Sequence, residues 1–138
     1  QLYNEGDKVM IKAEIDYLKK YISLWKLRST ERLQLQVYFD EALQEQEVYP
    51  LLFVPLVENA FKYVRGEYHI KLNMYLKEDR LYFYVENTIS DMLPPLQQKQ
   101  GIGIENLKRR LELLYPDNYT LNIKKEKTLF KVELVLKL

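Results

Sequence analysis

The 138 residues include no cysteine, a single histidine and a single tryptophan, with only four glycines and five prolines. Lacking cysteine, the chain has no disulfide framework and no thiolate-held zinc; this is compatible with the cytosol. His69 stands in a strand-like stretch between Tyr68 and Ile70 with no carboxylate at relay spacing, so it reads as a structural or surface residue. No cluster of histidines and carboxylates has metal-ligand spacing, and there is neither a nucleophile elbow nor a Walker loop. Charge of one sign is also missing: 21 Lys and Arg oppose 20 Asp and Glu, a net charge of +1. With no basic run interleaved with aromatics, direct nucleic-acid binding is not expected. No stretch approaches the roughly eighteen apolar residues of a membrane span, and no signal peptide or internal repeat occurs.

What remains is ordinary globular material, 47% hydrophobic and 30% charged. The length suits about one domain, able to bury roughly two-thirds of its unfolded surface. The chain begins at Gln1 rather than Met, and is expected to be a piece of something longer.

Hydrophobic periodicity supplies the elements. Residues 1–10 are polar and turn-like, with a break at Gly6-Asp7. Ile11, Ile15, Leu18, Ile22 and Trp25 make one helical stripe, ending near Arg28-Ser29. Leu33, Leu35, Val37 and Phe39 alternate with polar residues, the period of a half-buried strand. Asp40 to Val48 reads as a polar connection, and a short apolar helix is expected over Pro50–Val64. Pro55 inside that span removes a backbone donor and crowds the preceding turn, so it marks a kink or a fresh start. Tyr68–Lys77 and Leu81–Asn87 read as strands joined by Glu78-Asp79-Arg80. Thr88–Gln100, with Pro94-Pro95 and several glutamines, reads as a long mobile loop of the kind that often serves as a lid. Ile104, Leu107, Leu111 and Leu114 form a last helical stripe, closed by Pro116-Asp117-Asn118. Tyr119–Lys125 and Thr128–Leu136 complete a hairpin. The order implies one mixed sheet with helices on one face, an α+β two-layer sandwich.

Two stretches carry chemistry. In the helix ending near Val64, Glu58, Asn59 and Lys62 are surface neighbours, while Leu56, Val57, Ala60, Phe61 and Val64 supply the buried side. An amide oxygen suits Mg²⁺, which prefers oxygen ligands and keeps most of its waters. A carboxylate beside it orients a water-like group, and an ammonium neutralises phosphate. The plainer reading is a solvated face with an ordinary Glu–Lys pair. Some forty residues on, Gly101-Ile-Gly103 precedes the last helix, where glycines admit a ligand close to the backbone and free N–H groups meet an anion. The plainer reading there is a loop end and a helix start, with Asn106 as a local cap. Asn87 ends a strand; its amide is able to donate to and accept from an adenine edge, or simply terminates the strand. Lys108-Arg109-Arg110 is a small basic cluster able to assist phosphates or a partner, with a solvated helix face as the plainer reading.

These residues resemble a known family. Pro55-Leu-Val-Glu-Asn-Ala-Phe-Lys62 is similar to the N box of GHKL-type ATPases in the form used by LytS-type sensor histidine kinases. Gly101-Ile-Gly-Ile-Glu-Asn-Leu-Lys-Arg-Arg-Leu-Glu-Leu-Leu-Tyr115 resembles their second glycine box and its helix. Ile15 to Ile22, then Lys26-Leu-Arg28 and Arg32-Leu33, resemble the helix that precedes their ATP-binding domain. The resemblance implies a Bergerat-type two-layer sandwich binding Mg-ATP between helices and a lid. It implies that Asn59 coordinates Mg²⁺, that Glu58 is the polar or base-like group near the γ-phosphate, and that Lys62 contacts phosphate. It further implies that Gly101 and Gly103 border the nucleotide, with Asn106 close by and Asn87 near the adenine.

The chain departs from the family in two places. The acceptor histidine motif is absent, and His69 does not match it. The first glycine box is missing too: Asn87-Thr88 stands where its Asp should fall, and no glycine occurs between Gly66 and Gly101. A neutral acceptor makes a weaker hydrogen bond than a carboxylate. The resemblance therefore implies a catalytic domain that transfers the ATP γ-phosphate to a histidine on a separate dimeric helical region, for relay to a response regulator of LytTR type. Residues 1–30 would be the connecting segment and 31–138 the ATP-binding domain. The parent would be an inner-membrane-anchored bacterial sensor with this domain in the cytoplasm. The alternative is a degenerate nucleotide-binding or scaffold module without phosphotransfer. A chaperone- or mismatch-repair-type ATPase fits less well, since those need a longer chain and a fuller lid.

Overall fold

The structure, a computed structural model, describes residues 7–91 and 102–138. Ten elements follow in order: β1 (Val9–Met10), α1 (Ile11–Arg28), β2 (Gln34–Phe39), β3 (Glu47–Val48), α2 (Val54–Tyr63), β4 (His69–Lys77), β5 (Arg80–Thr88), α3 (Ile102–Leu114), β6 (Tyr119–Lys125) and β7 (Leu129–Lys137). Five strands form one sheet in the order β2-β4-β5-β7-β6. Only β2 and β4 run parallel, and the other neighbours are antiparallel. The mixed, mainly antiparallel α+β sandwich expected from the sequence is the one observed.

The alternation read along the strands decides which face is buried. Ile70, Leu72 and Met74 on β4, Leu81, Phe83 and Val85 on β5, and Val132, Leu134 and Leu136 on β7 are all buried. Against them pack Ile11, Ile15, Leu18 and Ile22 of α1, Leu56, Val57, Ala60 and Phe61 of α2, and Ile104, Leu107 and Leu111 of α3. Each large apolar side chain so buried contributes about 1.5–3 kcal/mol. Aromatic contacts lock the layers: Phe53 tilts on Phe83 at 5.0 Å, and Trp25 stacks on Phe61 at 5.4 Å. The opposite face carries half-buried tyrosines, with Tyr75 stacked on Tyr82 at 4.9 Å across β4 and β5.

Helix α1 ends where the periodicity says. Ser29 turns extended, its N–H bonds Lys26 O at 3.2 Å and its Oγ donates to Trp25 O at 2.8 Å. Lys26 and Arg28 in the last turn suit the negative end of the helix dipole. After α2 the chain reverses at Gly66, whose φ is +69°; a Cβ there would sit 3.0 Å from the Ile89 carbonyl oxygen, so any other residue would be strained and crowded.

Several expectations need correction. The second helix starts at Val54, not Pro50; Pro55 sits in its first turn, where a missing N–H costs nothing, so it begins the helix rather than kinking it. Residues 40–48 are not merely a polar connection: Leu43 and Val48 are buried, and Glu47–Val48 pairs antiparallel with Val9–Met10. Two-residue strands are too short to show a period, which is why alternation missed them. β2 is less buried than its pattern suggests, with Val37 at 39% exposure, because it is an edge strand covered on few sides. Of the Thr88–Gln100 stretch, Thr88 closes β5 and residues 92–100 lie outside the described residues.

Candidate functional site

Helix α2 carries the first half of the site. Its apolar stripe turns inward onto β5, so the remaining side presents Glu58 and Lys62 exposed and Asn59 half-buried. Facing them is the first turn of α3. Pro55, Glu58, Asn59, Lys62 and Tyr63 from α2 and Gly103 and Ile104 from α3 line one cleft of about 230 Å³. The two helices meet closely at its floor: a Cβ on Gly103 would lie 3.6 Å from the Pro55 Cβ.

The ordinary Glu–Lys pair does not form. Among the described residues neither Glu58 nor Lys62 makes an ion pair, and Lys62 Nζ lies 5.8 Å over the Tyr63 ring instead. A carboxylate, an amide and an ammonium thus share one opening without neutralising one another. Among the described residues no three His, Asp or Glu side chains gather in a way that would hold a metal ion.

The glycine segment differs from its sequence reading. α3 begins at Ile102, so Gly103 belongs to the first helical turn and does not precede it. There its N–H is one of the four that a helix leaves without an internal partner. Gly101 lies outside the described residues. Asn106 is exposed on α3 and does not line the cleft. His69 is exposed at the start of β4, where its backbone N–H donates to Thr88 Oγ1 at 3.0 Å.

Asn87 supplies the most unusual polar group in the described chain. It stands on the core face of β5, between Ile70 of β4 and Phe130 of β7, and is 1% exposed. Its Nδ2 donates to the Thr88 carbonyl at 3.2 Å, while Oδ1 is buried with no hydrogen-bond partner among the described residues. A buried acceptor left unpaired costs about 1–3 kcal/mol. The strand does not need it, since leucine or valine would fill that position without the penalty.

Sequence reasoning missed Glu14 and Arg110. Glu14 is buried on α1, and its carboxylate accepts the Leu51 N–H at 2.9 Å. Burial pushes its pKa above the usual carboxylate value, against the opposing pull of that N–H and of the Arg110 charge. The signal was available: position 14 falls inside the stripe of Ile11, Ile15 and Leu18, where an acid is out of place.

Comparison with known proteins adds to this geometry. No model of a known protein family matches the chain. It is similar to the sensor histidine kinase YesM of Bacillus subtilis, 24% identical over 132 residues, covering 91% of this chain and 23% of YesM. It is also similar to the sensor histidine kinase BtsS of Escherichia coli, 22% identical over 126 residues, covering 88% of this chain and 22% of BtsS. The chain thus spans less than a quarter of the length of these curated relatives. Among solved structures, the mycobacterial sensor histidine kinase MprB superposes with a TM-score of 0.64 at 12% identity, covering 94% of this chain and 95% of that one. The resemblance read from the two motifs holds to this extent: the similar proteins are sensor histidine kinases, and the fold is shared with solved histidine kinases.

Proposed function

We propose that this chain is the ATP-binding catalytic domain of a two-component sensor histidine kinase, binding Mg-ATP between α2, α3 and the core face of β5. The observation that carries this reading is the buried Oδ1 of Asn87 on the sheet, which has no hydrogen-bond partner among the described residues, together with Glu58, Asn59 and Lys62 in one cleft on the neighbouring helix, where neither Glu58 nor Lys62 makes an ion pair among the described residues. An adenine amino group satisfies the first, and a magnesium-bound triphosphate satisfies the second.

Within this reading Asn59 is the magnesium ligand. A neutral amide oxygen would supply one oxygen ligand to an ion that prefers oxygen and keeps most of its waters, which suits a cleft with no carboxylate cage among the described residues. Lys62 neutralises phosphate charge. The first turn of α3 at Gly103 offers backbone N–H groups to the same anion, while Asn106, exposed further along α3, does not line the cleft. Glu58 is the catalytic residue, accepting a hydrogen bond near the γ-phosphate and orienting the attacking nitrogen. Phosphoryl transfer asks for little covalent chemistry from protein, so positioning and charge neutralisation carry the catalysis.

The γ-phosphate passes to a histidine on a separate helical region of a dimeric parent, then to a response regulator, of LytTR type for this subgroup. Residues 1–30 connect to that region and 31–138 form the ATP-binding unit. Among the described residues no helix is long and apolar enough to cross a membrane; a membrane anchor belongs elsewhere in the parent, with this domain in the cytoplasm. Calorimetry with Mg-ATP tests the reading. Magnesium-dependent binding that disappears in Asn59→Ala is the expected outcome. Equal binding with and without magnesium, or none by the intact chain, would overturn it in favour of a degenerate module.

A further inference from the structure

Two charged side chains from different helices grip the turn that leads into α2. From α1, Glu14 Oε1 accepts the Leu51 N–H at 2.9 Å. From α3, Arg110 donates through Nη2 to the Pro50 carbonyl at 3.0 Å and through Nη1 to the Leu51 carbonyl at 3.2 Å. Just upstream, the Tyr49 N–H donates to the Tyr115 hydroxyl at the end of α3, at 3.2 Å.

The turn needs holding. Leu51 has a φ of +63°, in the left-handed region that favours glycine. Its side chain is 50% exposed, so packing does not enforce that backbone shape. Nor does α2 secure its own start: its N-cap is Phe53, with no side-chain cap hydrogen bond. Beside the burial of Leu52 and Phe53 that follow it, the polar grip is what holds Leu51 itself, and its two arms come from α1 and from the helix that forms the opposite wall of the cleft.

We propose that Glu14 and Arg110 are positioning residues for nucleotide binding: they hold the Pro50–Leu51 turn in its strained form and so set where α2 starts relative to α3. The proposal rests on the Mg-ATP reading of the cleft. It assigns neither residue a contact with the ligand. The guanidinium fork is essential to it, because two neighbouring carbonyls are engaged at once, which a lysine ammonium reproduces poorly.

The test uses Arg110→Lys, Leu51→Gly and the double variant of the 138-residue chain. Arg110→Lys is expected to weaken Mg-ATP binding by about three- to tenfold with a melting temperature close to that of the parent chain. Leu51→Gly removes the backbone strain, since glycine adopts a positive φ freely; alone it leaves affinity near the parent value, and in the Arg110→Lys background it restores binding. Loss of affinity strictly in step with loss of stability, or failure of Leu51→Gly to restore binding, would overturn the proposal. Amide hydrogen exchange gives a readout independent of nucleotide. In Arg110→Lys the Leu56 and Val57 amides, bonded to Phe53 O at 3.1 and 3.2 Å, should exchange about tenfold faster while β5 and β7 amides keep their protection. Unchanged protection at Leu56 and Val57 refutes the clamp whether or not the chain binds Mg-ATP; no binding by the parent chain, with exchange accelerated as expected, refutes the nucleotide reading alone.

Discussion

The two ends of the candidate site are built from opposite materials. At the α2–α3 cleft the groups are charged or strongly polar, largely exposed, and borne by helices whose apolar sides are fully committed to the core. On β5 the site is one neutral amide, almost wholly buried, with an acceptor that nothing among the described residues satisfies. The first kind of site gains affinity through charge and is weakened by salt and by removal of the metal. The second gains little from charge but imposes shape and a single hydrogen bond, and the empty protein is less stable for it. On the Mg-ATP reading proposed above, binding strength would reside mostly at the helices and base recognition mostly at the strand.

The sharpest way to break this contrast is Asn59→Ala, which is expected to lower Mg-ATP affinity by about tenfold or more, roughly 1.4 kcal/mol, and to abolish its magnesium dependence; calorimetry with and without chelator reads both. Asn87→Leu comes next, with effects of opposite sign. Removing the unpaired acceptor should raise stability by about 1 kcal/mol, while loss of the adenine hydrogen bond weakens binding by a similar amount; thermal melts and calorimetry on one sample separate the two. Asn87→Asp is its converse, losing stability when empty because it buries a charge. Lys62→Ala is smaller, a few-fold loss, and the difference from the parent chain should fade at high salt because the site is exposed.

The smallest effect belongs to the turn before α2. Because burial raises the Glu14 carboxyl above its ordinary value, the folded state takes up a proton more readily than the unfolded one. Its contribution to stability is therefore fully present below the ordinary carboxylate value and is lost as pH rises through the raised one. Denaturant midpoints should show that decline in the parent chain, and Glu14→Gln should lack it.

Much of this was legible in the chain because long, one-sided elements write their period plainly. α1, β4, β5 and β7 were readable to within a residue or two, since each has one buried face and a regular spacing. β1 and β3 were not, being two residues each and held by pairing rather than pattern. The helix start at Val54 was obscured by Leu51, Leu52 and Phe53, which are apolar but belong to a turn; Leu52 and Phe53 are buried there without being helical. At the site, the grouping of Glu58, Asn59 and Lys62 on one surface followed from spacing alone, and their convergence on Gly103 did not. That depends on how α3 packs against α2, and no local signal carries it. The unpaired state of Asn87 Oδ1 and the hold of Glu14 and Arg110 on Leu51 are likewise products of tertiary packing.

The most direct test of the division between the two ends follows the side-chain amide resonances of Asn59 and Asn87 by NMR during separate titrations. Adenosine alone should shift Asn87 and leave Asn59 in place, magnesium pyrophosphate should shift Asn59 alone, and Mg-ATP should shift both. Adenosine moving only Asn59, or Mg-ATP moving neither, would contradict the account.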